Sequence, residues 1–166
     1  MKRIILSFFA ITVCLFSHSQ TFNVPNYKFD SQEDYDKYEQ DIVKCVDWLV
    51  STPANEQSKK REAANRFLTL WATGTKSFTI RVNTDITPFV VKSADLLLMY
   101  MGGWSKYGIV NKENYNETDA YIAAIETAIL FYSNNKSTLK KNKDMENFIK
   151  MRNNDTLEEY VKGKVK

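Results

Sequence analysis

The chain has 166 residues with 23 Lys/Arg, 20 Asp/Glu and one histidine, a formal net charge of +3. That length suits one domain with its own core. The near-balanced charge gives no case for nucleic acid as a partner.

Met1-Lys2-Arg3 precede an almost unbroken apolar run from Ile4 to Phe16 and then Ser17-His18-Ser19-Gln20. A basic start, an apolar stretch of about 7–15 residues and small residues at the exit describe a secretory signal peptide. Cleavage before Gln20 is the expectation, with residues 1–19 removed and the product exported to the periplasm or secreted. Lipid anchoring through Cys14 is disfavoured, because Val13 is bulky where a lipobox needs a small side chain and Leu15-Phe16 prolong the apolar run. No transmembrane segment is expected after cleavage. The remaining 147 residues would keep no histidine and one cysteine, Cys45, so stability must come from packing without an intrachain disulfide.

Residues 20–30, with Pro25 among Phe22, Tyr27 and Phe29, read as an extended arm lying across the body. Ser31 supplies a helix-capping oxygen with Glu33 and Asp34 in the first turn, and Tyr35, Tyr38, Ile42, Cys45, Val46 and Leu49 then recur at helical spacing. Cys45 on that apolar face reads as a small buried hydrophobe. Ser51 to Asn55 breaks the helix, and Asn55 is placed to cap the next, over 56–73. There Ala63, Ala64, Phe67, Leu68, Leu70 and Trp71 form the expected buried stripe, while Lys59, Lys60, Arg61 and Glu62 face water; Gly74 ends it.

From Lys76 to Asn83 the period changes to two. Phe78, Ile80 and Val82 alternate with Thr79 and Arg81, the pattern of a half-buried strand. Phe89-Val90-Val91 is the nearest hairpin partner, and Pro88 equally suits the first turn of a helix; both readings stand at this point.

Ser93 caps the element around which the chain is organised. Leu96 to Met101 has no polar face as a helix, so protein must cover nearly all of it. Gly102-Gly103 remove two side chains beside that run, which lets another backbone approach or a ligand sit there. An apolar slot at Met101, Gly102, Gly103 and Trp104, bordered by Trp71 or Tyr107, is therefore the candidate ligand or partner site. A bend is expected at the glycine pair and a stop at Gly108. After the polar Asn111 to Glu117, the residues Thr118, Tyr121, Ile122, Ile125, Ala128, Ile129 and Tyr132 mark another amphipathic helix.

Residues 134–166 carry nine Lys/Arg against five Asp/Glu, whereas 20–133 carry twelve against fifteen. This basic tail, with two short helical stretches around Met145–Met151 and Leu157–Val161, is expected to dock through thin apolar stripes and to fray at Lys162–Lys166. Its Lys136–Lys143 region offers a contact for an anionic membrane surface.

Without a histidine after cleavage, neither a Ser/His/Asp nor a Cys/His nucleophile system nor a histidine-ligated metal centre can be assembled. The five glycines match no phosphate-loop spacing, Asp30, Asp34 and Asp36 lack the turn and closing Glu of an EF-hand, and no cofactor is implied. Paired-carboxylate chemistry survives elimination, with Asp95 and Glu126 as the nearest pair.

The segments Pro25-Asn26-Tyr27, Cys45-Val46-Asp47-Trp48-Leu49, Asn55 to Arg61 and Met101-Gly102-Gly103-Trp104 resemble, over nearly the whole chain after the signal, a family of small exported helical proteins of Bacteroidota. The resemblance implies a bacterial periplasmic setting and carries over no catalytic or binding residues. The expected architecture is a mainly α single-domain helical bundle (core 31–133, tail 134–166) around a buried central helix, with room for one short β-hairpin. The expected role is a non-catalytic module that binds a protein or a small apolar ligand, the alternative being an envelope-associated accessory protein that uses the basic tail.

Overall fold

The computed structural model describes residues 21–165, so the signal-peptide reading and Cys14 lie outside the described residues. Seven α-helices and two short 3-10 turns make up the described chain, and no strand occurs among its residues. The helices are α1 Gln32–Lys37, α2 Glu39–Ser51, α3 Ser58–Gly74, α4 Ala94–Val110, α5 Glu117–Asn134, α6 Lys143–Asn153 and α7 Leu157–Lys162. Helix α4 is the hub, packing against α2, α3, α5 and the 3-10 turn Pro88–Lys92. The bundle around a buried central helix is the architecture expected from the apolar run.

Local capping sets the helix starts. The Ser31 hydroxyl accepts from Asp34 N–H while the Asp34 carboxylate accepts from Ser31 N–H at 3.1 Å, a reciprocal capping box. Ser93 accepts from Leu96 N–H at 3.3 Å and Asn116 from Asp119 N–H at 3.1 Å. The helix expected over 31–50 is interrupted at Tyr38, whose hydroxyl donates to Asn26 O of the arm at 3.0 Å. Phe22, Tyr27 and Phe29 of the segment before α1 all lie within ring-contact distance of Phe67.

Four expectations are corrected. Asn55 does not cap α3; the helix begins at Ser58 behind Gln57, whose φ of 50° lies in the left-handed region. Ala63 and Leu70 are exposed, and Arg61 is buried, because the stripe that faces the core is Arg61, Ala64, Phe67, Leu68, Trp71 and Ala72. Helix α4 passes the stop expected at Gly108 and runs to Val110; the Phe78 ring occupies the space beside Gly108 that a side chain would need. Residues 76–83 pair with no strand. Phe78 and Ile80 are half-buried as the alternation required, but the Arg81 carbonyl accepts from the Tyr100 hydroxyl at 2.6 Å instead of a ladder partner. Pro88 opens a 3-10 turn, the helical one of its two readings, and this turn buries Phe89 against Tyr100 and Phe148.

The tail is more firmly docked than its composition suggests. Met145, Phe148, Leu157 and Val161 are all buried in the same core as α4. Phe148 meets Phe89 edge-on at 5.3 Å and Tyr160 at 5.6 Å, and the Tyr160 hydroxyl donates towards the Asp85 and Ile86 carbonyls. Thin stripes suffice because Phe148 meets aromatic rings on both sides while Met145, Leu157 and Val161 are buried in the same cluster. Among the described residues no helix is long and apolar enough to cross a membrane.

Candidate functional site

The glycine pair at the centre of α4 is in contact with protein on both faces. A Cβ at Gly102 would lie 3.1 Å from Val46 of α2 and 3.2 Å from Leu68 of α3. At Gly103 it would lie 2.5 Å from Thr127 Oγ1 and 2.8 Å from the Ala123 carbonyl oxygen, both on α5. Close helix approach is what the missing side chains permit here. Trp71 and Trp104 are fully buried, and their indole N–H groups donate to Tyr35 O and to the Tyr115 hydroxyl, each at 2.9 Å. Met101 and Tyr107 are half-buried. Five of the six residues of the expected slot lie on α4 and Trp71 lies on α3, with neighbouring helices against the two glycines and aromatic rings against the two tryptophans.

Asp95 and Glu126 do not face one another across a common cavity. Asp95 stands in the first turn of α4 and lines one cleft; Glu126, midway along α5, lines a separate depression with Arg152, Asp155 and Glu158. Burial raises the Glu126 carboxyl above its ordinary value, and Arg152, 3.8 Å away, opposes the shift. General acid–base work by this pair would require both groups at one substrate.

The cleft that Asp95 lines is the largest concavity described, about 620 Å³. One wall is the end of the 3-10 turn and the start of α4, with Lys92, Ser93, Asp95 and Leu96; the other is Tyr132 of α5 and the segment 138–143. The sequence builds the second wall in three steps. Asn135, almost fully buried, donates from its amide to Phe131 O at 2.8 Å and accepts from Ala54 N–H at 2.7 Å, pinning the chain as it leaves α5. The Thr138 and Leu139 N–H groups then turn back onto the Asn135 carbonyl. Asn142 finally caps α6 by accepting from Asp144 and Met145 N–H, while its own N–H donates to the Tyr132 hydroxyl at 3.0 Å.

No family model, no curated protein and no solved structure matches this chain.

The cleft's chemistry therefore has to be read from its own side chains. Four lysines, Lys92, Lys140, Lys141 and Lys143, line it against a single carboxylate, Asp95. Lys92 is held by Asp144 at 2.5 Å. Lys136, outside the lining, is bound to Glu146 at 3.1 Å, and that contact, with the Tyr132 hydroxyl and the field of Lys141, holds the Glu146 carboxyl below its usual range. Among the described residues, no carboxylate lies within ion-pair distance of Lys140, Lys141 or Lys143. Like charges concentrated in a concavity attract an anion more strongly than the same charges spread over a convex surface. The signal legible in the sequence is the run Lys140-Lys141-Asn142-Lys143; the contribution of Lys92, Ser93 and Leu96 from the far wall was not.

Proposed function

We propose that the chain is an exported, non-catalytic binding module of the periplasm or cell surface, and that the basic cleft between the start of α4 and residues 138–143 is its binding face. The observation that carries this reading is the convergence of four lysines on one concavity with Asp95 as the only carboxylate in its lining. A concave site with a few convergent polar groups and an apolar wall, here Leu96 and Leu139, is the ordinary form of a ligand site. The apolar slot at Met101–Trp104 gives way to this cleft because protein packs against its glycines. The separation of Asp95 from Glu126 supports binding over hydrolysis.

Native mass spectrometry of the protein isolated from its own host tests the reading. A bound mass that is released on denaturation, and is absent from the Lys140→Glu/Lys141→Glu variant, is the expected result. A bound mass retained by that variant would place binding elsewhere and end the assignment of the cleft.

A second reading is favoured by the three lysines without carboxylate partners: an accessory protein that contacts an anionic envelope surface through residues 136–143. It requires salt-dependent attachment to phosphatidylglycerol vesicles, since screening weakens exposed charges at separations beyond about 10 Å at 0.1 M salt. No attachment at low ionic strength removes it.

A further inference from the structure

We infer that the basic cleft is built for a phosphate monoester carried by a larger molecule, its phosphoryl group seated among Lys140, Lys141 and Lys143. The inference rests on reading the cleft as the binding face and names the ligand chemistry that face selects. Charge is the first reason. Four lysines, less Asp95 and less the Asp144 that holds Lys92, leave two positive charges at the cleft. A phosphate monoester carries about −1.5 to −2 at pH 7, which neutralises them, whereas a single carboxylate would leave ammonium groups in mutual repulsion.

Donor geometry is the second reason. No arginine stands in the lining. Lysines act there as point charges, and several of them can approach a tetrahedral phosphate from different sides without the fixed fork that a guanidinium would impose. A fixed neutral donor accompanies them. Asn142 is 8% exposed and lines the cleft; its Oδ1 is committed to the Asp144 and Met145 N–H groups, and among the described residues its Nδ2 bonds to no acceptor. Ser93, on the opposite wall, accepts from Leu96 N–H and keeps its own hydroxyl proton to donate.

Size completes the case. A volume of about 620 Å³ is far more than a bare oxyanion fills, and Leu96 and Leu139 offer apolar surface to the rest of the molecule. It lies inside the span of about 300–1,000 Å³ common to small-molecule sites.

Isothermal titration of the purified protein with glycerol 3-phosphate, with sodium acetate as the carboxylate control, tests the ligand class. Co-sedimentation with phosphatidylcholine vesicles containing phosphatidic acid tests the same monoester on a lipid. Binding in either arm, weakened at least tenfold by Lys140→Gln/Lys141→Gln and unaltered by Lys59→Gln on α3, supports the inference, and the arm that responds names the source. Acetate binding as tightly as glycerol 3-phosphate, indifference to the double substitution, or no binding in both arms overturns it. The broader reading fails separately: loss of the host-derived mass in Lys140→Glu/Lys141→Glu without any phosphate binding would keep the cleft as the binding face and reject only the phosphate monoester.

Discussion

Arg61 donates from Nη2 to the Thr52 carbonyl at 2.5 Å, closing the turn between α2 and α3 with a side chain from the helix that follows it. The same guanidinium reaches Leu49 O at 3.4 Å and Pro53 O at 3.1 Å, so one cation serves three carbonyls where α2 ends. A positive charge there also meets the negative end of the helix dipole. Burial pushes the Arg61 pKa below its ordinary value, with Asp95 pulling the other way.

Arg61→Ala should therefore lower stability by about 2–3 kcal/mol, the scale of losing hydrogen bonds to a charged donor while their acceptors stay partly buried. Arg61→Lys should recover only part of this, because an ammonium cannot span three carbonyls as a fork does. Urea unfolding followed by circular dichroism measures both. Equal stability of Arg61→Ala and the parent would show that water replaces the guanidinium without cost.

The two central glycines should respond differently to alanine. At Gly103 the new Cβ meets Thr127 Oγ1 at 2.5 Å and the Ala123 backbone oxygen at 2.8 Å, so α4 and α5 must separate. Overpacking of this kind costs about 1–3 kcal/mol. At Gly102 the neighbours are the Val46 and Leu68 side chains at 3.1–3.4 Å, which give by small rotations. Gly103→Ala should shift the urea midpoint well below that of Gly102→Ala; the reverse order would contradict the packing described.

Cys45 should be silent to thiol reagents in the folded protein. It is 0% exposed, its S–H points to the Ala64 carbonyl at 3.5 Å, and burial pushes the thiol pKa strongly upward. Since the thiolate is the reactive species, labelling by Ellman's reagent should proceed only at the rate of unfolding. Prompt labelling in native buffer would mean that α2 and α3 open locally.

Glu126→Gln should stabilise the protein at neutral pH. A folded-state pKa raised above the ordinary 4.5 means that the native state holds the proton more tightly than the unfolded chain. Stability is then fullest below about pH 4.5 and declines as pH rises through the folded-state pKa. Glutamine removes the half-buried charge, so thermal midpoints of variant and parent should converge in acid and separate at pH 7, with the variant higher. A lower midpoint for the variant at pH 7 would show that the Arg152 pair outweighs burial.

Most helices were legible from local signals. Ser31 and Ser93 cap their helices as the sequence indicates, although Asn55 does not, and the apolar run from Leu96 lies at the centre of the bundle. The misjudged Arg61 shows the limit of residue type as a guide. Its spacing from Ala64, Leu68 and Trp71 places it on the buried face, and periodicity was the better signal. The strand reading of 76–83 failed for the opposite reason: the alternation is real, but a strand exists only if a partner backbone is in reach, and α4 supplied a tyrosine hydroxyl instead.

The sequence by itself determined a mainly helical chain, the hub helix, the burial of Cys45 and the basic character of the tail, because periodicity, capping and charge are properties of neighbouring residues. Only the tertiary structure decided what fills the gap at Gly103, which carbonyls Arg61 serves and where the lysines of 140–143 meet Ser93. Each of those depends on which distant segments pack together, and the number of ways a bundle can bring its helices into contact is far larger than the local pattern restricts.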